Sequence, residues 1–235
     1  MTNILFIFSV FLLSVSVNAE SLKDTLFKEA KSGHISFSYD NARKKMFNEI
    51  YLEKDLKGYY IEDVYCQDKY YPFQGQHPNG KLPDPNVFNT EHTWPQSKFS
   101  TRFNKETQKT DLHHLFPTFS RINSERGNLP FAEVNSGKEL SCDESHLGRP
   151  VSGENGTYFE PPHEHKGNVA RAMFYFSIRY QISIDPVQEH YLRLWHKEDP
   201  VDAEEKARHE RIAQLQGNRN PFIDNPKYVD QISDF

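Results

Sequence analysis

Residues 88–128 hold most of the side chains in this sequence that could carry out chemistry. A carboxylate stands directly before an imidazole at Glu91 and His92, and a carboxamide follows at Asn123. Basic residues are spread between them and outnumber the acidic ones: Lys98, Arg102, Lys105, Lys109, Arg121 and Arg126. A stretch this polar makes a poor hydrophobic core, but it has the groups needed to hold a divalent cation against a phosphate.

Hydrolysis of a phosphodiester needs a nucleophilic water, relief of charge at phosphorus and help for the leaving oxygen. A neutral imidazole can take the proton from water near pH 7, because its unperturbed pKa lies just below that value. A hard cation such as Mg²⁺ can supply the other two, and it prefers oxygen ligands. The residue types therefore suggest Glu91 and Asn123 as ligands of one Mg²⁺ ion and His92 as the base.

Each of these residues also has an ordinary structural explanation. A Glu-His pair is commonly exposed on a protein surface, and an asparagine in a short helix is commonly a cap. Asp111, His113 and His114 form a second polar group, and its histidines suit hydrogen bonding around a site as well as metal binding. A zinc site is also conceivable, although no HExxH spacing supports it, from four histidines: His113, His114, His163 and His165.

The elements around these residues follow from turn and strand signals. Residues 87–94 and 112–116 are apolar enough for two strands, and Pro95 and Pro117 are expected to end them. A helix capped by Ser120 and ended by a glycine at 127 should follow. The local plan is therefore strand, loop, strand, helix.

This plan leaves one geometric difficulty at the Glu91–His92 pair. Neighbouring residues of a strand point to opposite faces, so an ordinary strand would separate the two side chains. A bulge or irregular backbone is therefore expected if both act at one site. Asn123 falls in the first turn of the predicted helix.

Helical periodicity recurs along the rest of the chain. It predicts a helix over 21–30, a second one capped by Asp40, and a buried central helix over 168–182. Asp185 followed by Pro186 should open a further helix, and Asp202 another that ends at a glycine. The sequence predicts one α+β domain, mostly helical.

The first nineteen residues have the pattern of an export signal, with an apolar run and small residues before a cleavage site. The run is too short to span a bilayer comfortably, and the mature chain is expected to start near Glu20. Export into an oxidising compartment predicts a disulfide between Cys66 and Cys142, with two buried thiols as the alternative. Closing that loop is worth on the order of 4 kcal/mol.

Charge limits the kind of partner. The chain has 235 residues and a formal net charge of −5. It is therefore not basic throughout, and a nucleic acid would have to meet a local basic patch.

Six segments resemble the successive motifs of the bacterial endonuclease I family and cover most of the mature chain in the right order. They are NTEHTWPQS at 89–97, DLHHLFP at 111–117, NSERGN at 123–128, KGNVARAMFY at 166–175, LWHKEDP at 194–200 and QGNRNPFID at 216–224.

The resemblance implies a periplasmic or secreted nuclease with a ββα-metal (His-Me finger) site that cuts DNA and often RNA without sequence preference, leaving 5′-phosphate ends. It implies Mg²⁺ ligation by Glu91 and Asn123, with Mn²⁺ or Ca²⁺ as conceivable replacements, and activation of water by His92. An arginine that steadies the phosphate is also implied, and Arg102 is the predicted one, with Arg121 and Arg126 as the alternatives. Further substrate contacts are predicted at Lys98, Arg121 and Arg126.

Residues 20–235 are accordingly expected to form one nuclease domain, a monomer without membrane contact once the signal is removed. Two alternatives stay open. One is a secreted protein that binds nucleic acid without turnover, and the other is a zinc-dependent hydrolase of a different substrate.

Overall fold

The computed structural model describes residues 21–135, 137–138 and 140–235. The predicted signal peptide, residues 1–19, lies outside the described residues. Helices dominate, and the strands form small antiparallel sheets, as expected for an α+β domain. Within the described ranges, no helix combines the length and the apolar character needed to cross a membrane.

The helices are α1 Leu22–Lys31, α2 Tyr39–Lys45, α3 Lys105–Lys109, α4 Ser120–Arg126, α5 His163–Tyr180, α6 Pro186–Glu198, α7 Ala203–Gln216, α8 Pro221–Asp224 and α9 Tyr228–Gln231. The strands are β1 Glu53–Asp55, β2 Gly58–Glu62, β3 Lys69–Tyr70, β4 Phe88–His92, β5 Leu115–Phe119, β6 His146–Gly148 and β7 Tyr158–Glu160. A π-helical turn, Met46–Ile50, continues α2, and short 3-10 turns occupy Pro72–Gly75, Gln96–Lys98 and Leu112–His114.

Helix α5 is the centre of the larger hydrophobic core. It is buried along nearly its whole length, and α1, α6 and α8 pack against it. Its apolar residues form the core, and two of its buried basic residues are paired, Lys166 with Glu160 and Arg171 with Glu205. The predicted buried central helix is therefore confirmed. It begins at His163, earlier than the apolar periodicity indicated.

A second, smaller core lies under the sheet that carries the candidate site. Phe88 of β4 and Leu115 of β5 pack there with Phe47 and with Ile212 of α7. The hairpin of β4 and β5 is therefore held from below by apolar contacts, and polar residues of the same strands are free to face a site.

The predicted caps of the later helices are confirmed. The Asp185 side chain accepts from the amides at the start of α6, and Asp202 does the same for α7, which ends at Gly217 with φ of +83°. For α2, Ser38 is the cap instead of Asp40. Asp40 lies in the first helical turn, where its negative charge favours the positive end of the helix dipole.

The two predicted strands exist, but the second one is shifted. β5 runs through Pro117, and Leu112–His114 form a 3-10 turn in which the Asp111 side chain accepts from the His113 amide. Pro117 lies opposite Thr90 in a two-stranded sheet, where each strand has an open edge that tolerates a missing amide hydrogen.

Cys66 and Cys142 form a disulfide, as predicted. It joins the turn after β2 to the segment before β6, so the closed loop contains β4, β5 and α4.

Candidate active site

The hairpin and the helix after it bring the three predicted chemical groups to one place. Helix α4 packs against both β4 and β5. Glu91, His92 and Asn123 all line one open cavity of about 270 Å³. Asn123 is the fourth residue of α4. The predicted cap by Ser120 is wrong: Ser120 is the first helical residue, its hydroxyl donates to the Pro85 carbonyl, and Phe119 occupies the cap position without a side-chain hydrogen bond.

The expectation of a bulge at the Glu91–His92 pair is wrong, because β4 is a regular strand there. The register of β4 with β5 is continuous from Phe88 opposite Phe119 to His92 opposite Leu115. Both side chains still reach the cavity because it lies at the end of β4 and includes residues of the loop that follows, such as Gln96. At the end of a strand, groups from both faces can line one opening.

Glu91 is a buried carboxylate, with 2% of its surface exposed. Its Oε1 accepts a hydrogen bond from the Tyr65 hydroxyl at 2.9 Å and lies 3.1 Å from Nη1 of Arg126. Burial raises the pKa of Glu91, and the charge of Arg126 and the Tyr65 hydrogen bond oppose that rise. Both contacts use one carboxylate oxygen, so Oε2 is not taken up by either group.

His92 is held as a proton acceptor. Its Nε2 lies 3.1 Å from the Lys109 carbonyl, which can only accept, so Nε2 carries the hydrogen and Nδ1 has the lone pair. The Gln96 amide approaches Nδ1 at 3.4 Å. Burial, followed by the neighbouring His114, lowers the pKa of His92 to about 3. The ring is therefore neutral near pH 7.

Asn123 is oriented by its amide nitrogen. Nδ2 donates to Oδ1 of Asn89 at 2.7 Å and to the Thr90 carbonyl at 3.2 Å. These two bonds use both amide hydrogens, so Oδ1 is the atom that remains available to a ligand in the cavity.

The donor set in this cavity fits a hard divalent cation. Oε2 of Glu91 and Oδ1 of Asn123 are both oxygens, the ligand type that Mg²⁺ prefers, and the openness of the cavity leaves room for water and phosphate. Arg126 already offsets part of the charge of Glu91, so a cation bound here would share that carboxylate with a guanidinium.

The four predicted basic contacts lie in different places. Arg126 is 1% exposed and donates to the carbonyls of His92 and Thr93, beside its ion pair with Glu91. Arg121 is exposed and pairs with Glu125 of its own helix.

Lys98 and Arg102 also lie outside the cavity of Glu91. Lys98 lines a neighbouring cavity, and Arg102 lines a third one between α1 and the end of α5. Of the four basic residues, only Arg126 lines the cavity with Glu91.

Asp111, His113 and His114 are buried behind the cavity. The Asp111 carboxylate accepts from the hydroxyls of Tyr175 and Tyr180 and from the Gln216 amide. The ring of His114 lies 5.4 Å from that of His92. This cluster joins the hairpin to α5 and α7.

The histidines behind the site act as hydrogen-bond donors to the backbone. Nε2 of His113 donates to the Asn218 carbonyl and Nε2 of His114 to the Gln108 carbonyl. Among the described residues, the group of three whose ligand atoms converge is a different one: His209, Glu210 and Asp224. The four histidines considered for zinc, His113, His114, His163 and His165, therefore do not form such a group.

Several contacts that hold the candidate groups in place could not be predicted from the sequence. Tyr65 on Glu91, Asn89 on Asn123 and the Lys109 carbonyl on His92 hold the three groups in place. Asn89 lies inside a recognisable motif, but nothing in the sequence marks its side chain as the partner of Asn123. Tyr65 and Lys109 carry no motif signal at all.

Comparison with known proteins identifies the family of this chain. A family model described as Endonuclease I matches residues 18–227. An extracellular ribonuclease of Bacillus amyloliquefaciens is 36% identical over 165 residues, which are 62% of this chain and 53% of that protein. An extracellular deoxyribonuclease of Aeromonas hydrophila is 32% identical over 125 residues, 53% of this chain and 52% of that protein.

A third relative, Endonuclease-1 of Buchnera aphidicola subsp. Baizongia pistaciae, is 29% identical over 121 residues, 52% of this chain and 49% of that protein. The chain thus spans about half the length of these curated relatives. The family model covers most of the chain itself, from residue 18 to beyond α8. The protein belongs to the Endonuclease I family.

Proposed function

We propose that this protein is a secreted or periplasmic endonuclease that hydrolyses phosphodiester bonds of DNA and RNA without sequence preference. The observation that carries the proposal is the convergence of Glu91, His92 and Asn123 on one cavity. Family membership supports it, and relatives named as a ribonuclease and a deoxyribonuclease support both substrates. Relatives named extracellular or periplasmic support the location.

In this proposal Glu91 and Asn123 hold one Mg²⁺ ion, in the arrangement called a ββα-metal site. The order of β4, β5 and α4 is consistent with such a site. When bound, the ion would relieve charge at phosphorus and help the leaving oxygen. Asn89 orients the Asn123 carboxamide, and Tyr65 and Arg126 fix the Glu91 carboxylate.

His92 would take the proton of the attacking water at Nδ1. The Lys109 carbonyl fixes its tautomer and aims the ring, which spares reorganisation during the reaction. A phosphate in the cavity would raise the pKa of His92 from its low value toward the working pH, because a nearby negative charge favours the imidazolium. Attack by water and departure of the 3′ oxygen would leave 5′-phosphate ends.

A plasmid-nicking assay tests the proposal. The wild-type protein should nick and linearise plasmid with Mg²⁺ and lose this activity in EDTA. His92→Ala should lower the rate at least 100-fold, the lower range for loss of a general base. His146→Ala is the matched control, since this exposed histidine on β6 lies outside the cavity.

Other outcomes point elsewhere. Retarded migration of plasmid without cleavage would indicate a binding protein without turnover. Activity that survives His92→Ala and is lost to a zinc-selective chelator in excess Mg²⁺ would indicate a zinc hydrolase. Either result would overturn the proposal.

A further inference from the structure

The cavity of Glu91 does not stand alone on the surface. It shares Pro95 with a second cavity lined by Lys98, which we call the middle cavity. The middle cavity in turn shares Ile182 and Ser183 with a third one lined by Arg102, which we call the distal cavity. The three therefore adjoin one another in series, and α5 contributes to the lining of the middle and distal cavities.

Uncompensated positive charge lies along this series. Within the described part of the chain, no ion pair with a carboxylate involves Lys98 or Arg102. Both side chains are exposed. Partial desolvation and the Arg126 guanidinium lower the pKa of Lys98, so its ammonium lies within electrostatic reach of the first cavity. A chain of net charge −5 must attract a polyanion through local groups of this kind.

The acidic residues near the series are engaged with the backbone or with other side chains. Asp185 in the middle cavity caps α6 through two amides, and Asp24 in the distal cavity accepts from the Ser21 hydroxyl. Their charges weaken the positive field without pairing with Lys98 or Arg102.

An aromatic ring accompanies the positive charge in the distal cavity. Phe27 is half-buried, lines this cavity and packs edge-to-face on Phe103 at 6.2 Å. Arg102 is adjacent to Phe103 in the chain and lines the same cavity. A cation beside a fixed aromatic face is the combination that proteins use to bind single-stranded nucleic acid, with phosphate on the cation and a base on the ring.

The spacing suits one strand that passes through the series. Met173 lines the middle cavity and Ile178 the distal one, and both lie on α5. Five helical residues span about 7.5 Å. That corresponds to about two nucleotides at the rise of a DNA strand.

We propose that the distal cavity is a second nucleic-acid subsite, where Arg102 binds a phosphate and Phe27 stacks on a base of the same strand, outside the bond that is cut. The inference rests on the proposed nuclease function. In this inference Arg102 binds substrate away from the scissile phosphate. The sequence analysis instead predicts that Arg102 contacts the reacting phosphate.

Steady-state kinetics of Arg102→Ala on two substrates test it. One substrate is a 20-nucleotide single-stranded DNA, and the other is a trinucleotide too short to reach from the first cavity to the distal one. The variant should raise KM several-fold for the 20-mer with kcat unchanged, and leave both constants for the trinucleotide at wild-type values. The salt slope of binding to the 20-mer should fall by about 0.7, the value for one lost phosphate contact with a single strand. Arg149→Ala removes the same side chain outside the three cavities and should match the wild type.

Phe27→Ala should raise KM for the 20-mer alone, and a melting temperature near the wild-type value for Arg102→Ala would show that the fold is kept. An equal effect of Arg102→Ala on both substrates would overturn the inference and return Arg102 to the scissile phosphate. No effect on either substrate, or the same salt-slope change in Arg149→Ala, would also overturn it. If the wild-type protein cleaves neither substrate, the proposed function itself fails, and the subsite falls with it.

Discussion

At the residue scale, Glu91 is the group on which the proposed site depends. A carboxylate with 2% exposure is unfavourable unless opposite charge and hydrogen bonds surround it. Tyr65 and Arg126 supply both, and the cation that we propose would add to them. Arg126 therefore stabilises the fold and prepares the site at the same time.

Removal of Arg126 should be strongly destabilising. Arg126→Leu leaves Glu91 buried beside a group that cannot compensate its charge, which costs about 3 kcal/mol of unfolding free energy. Urea unfolding measures this loss, and addition of Mg²⁺ should recover part of it by binding at Glu91. Arg121→Leu, which removes an exposed pair on the same helix, should change stability by about 0.5 kcal/mol or less. A loss below 1 kcal/mol for Arg126→Leu would contradict this role.

Asn89 should act as a positioning residue for the metal ligand. It accepts from Asn123 at 2.7 Å, and Asn89→Ala frees the carboxamide to rotate. Loss of such an outer partner lowers metal affinity by about 10- to 100-fold. The readout is the Mg²⁺ concentration for half-maximal activity, with kcat at saturating Mg²⁺ close to wild type. Asn86→Ala, an exposed asparagine outside the cavity, is the control. An unchanged Mg²⁺ requirement in Asn89→Ala would count against the assignment.

At the element scale, the hairpin and α4 form the frame of the site, and α4 is short. It ends at Gly127, whose φ of +55° and ψ of −120° suit a residue without a side chain. Arg126 is the last residue of the helix before this glycine, and Asn123 lies about one helical turn earlier. The end of this helix therefore controls both groups.

Gly127→Ala tests the frame. The substitution forces an unfavourable backbone conformation and should cost about 1–3 kcal/mol in unfolding free energy. It should also lower nuclease activity, because α4 must shift. Gly80→Ala is the matched control: this glycine has φ of +78° with nothing within 4 Å of an added Cβ, so it should lose stability and keep activity. Full activity in Gly127→Ala would mean that the site tolerates movement of α4.

Much of the helical fold could be predicted because its signals are local. Asp185 before Pro186, Asp202, and the glycine that ends α7 each mark a helix boundary through their own chemistry. The start of β5 could not be predicted, since the 3-10 turn before it depends on Asp111, whose other partners Tyr175 and Gln216 come from distant helices. The inward direction of Arg126 was unpredictable for the same reason, because its partner Glu91 belongs to another element.

At the scale of the whole molecule, the disulfide closes a loop that contains Glu91, His92 and Asn123. The bonded cysteines are 76 residues apart, and the chain-entropy relation gives about 4 kcal/mol for a loop of that length. Reduction with dithiothreitol should lower the unfolding free energy by about this amount. The Cys66→Ala, Cys142→Ala double variant should show the same loss and no further response to reductant. An equal urea unfolding midpoint of the wild-type protein with and without dithiothreitol would contradict the prediction.

Buried histidines should make the whole fold sensitive to acid. Burial is the main cause that lowers the pKa of His92, His113 and His165 to about 3 and that of His114 to about 4. These rings are neutral when folded and titrate near 6.5 when unfolded, so the unfolded chain binds more protons between these values. The stability of the fold is therefore unaffected by these rings above about pH 6.5 and is lost as pH falls toward 3, or toward 4 for His114, by up to about 1.4 kcal/mol per pH unit for each ring.

Urea unfolding at pH 7.5, 6 and 5 measures this loss. His165→Gln should make the decline shallower by up to about 1.4 kcal/mol per pH unit, because one buried titrating group is removed. His146→Gln, at an exposed position, should leave the slope unchanged. Equal stability of the wild-type protein at pH 7.5 and pH 5 would contradict the expected linkage.

The proposed metal site is tested most directly by a crystal structure of the protein soaked in Mn²⁺, with the ion located by its anomalous scattering. We expect one ion bound by the Glu91 carboxylate and Oδ1 of Asn123, with Nδ1 of His92 facing a water beside it. Density confined to His209, Glu210 and Asp224, where Arg219 already pairs with both carboxylates, would contradict the site, as would an ion that leaves Asn123 uncoordinated.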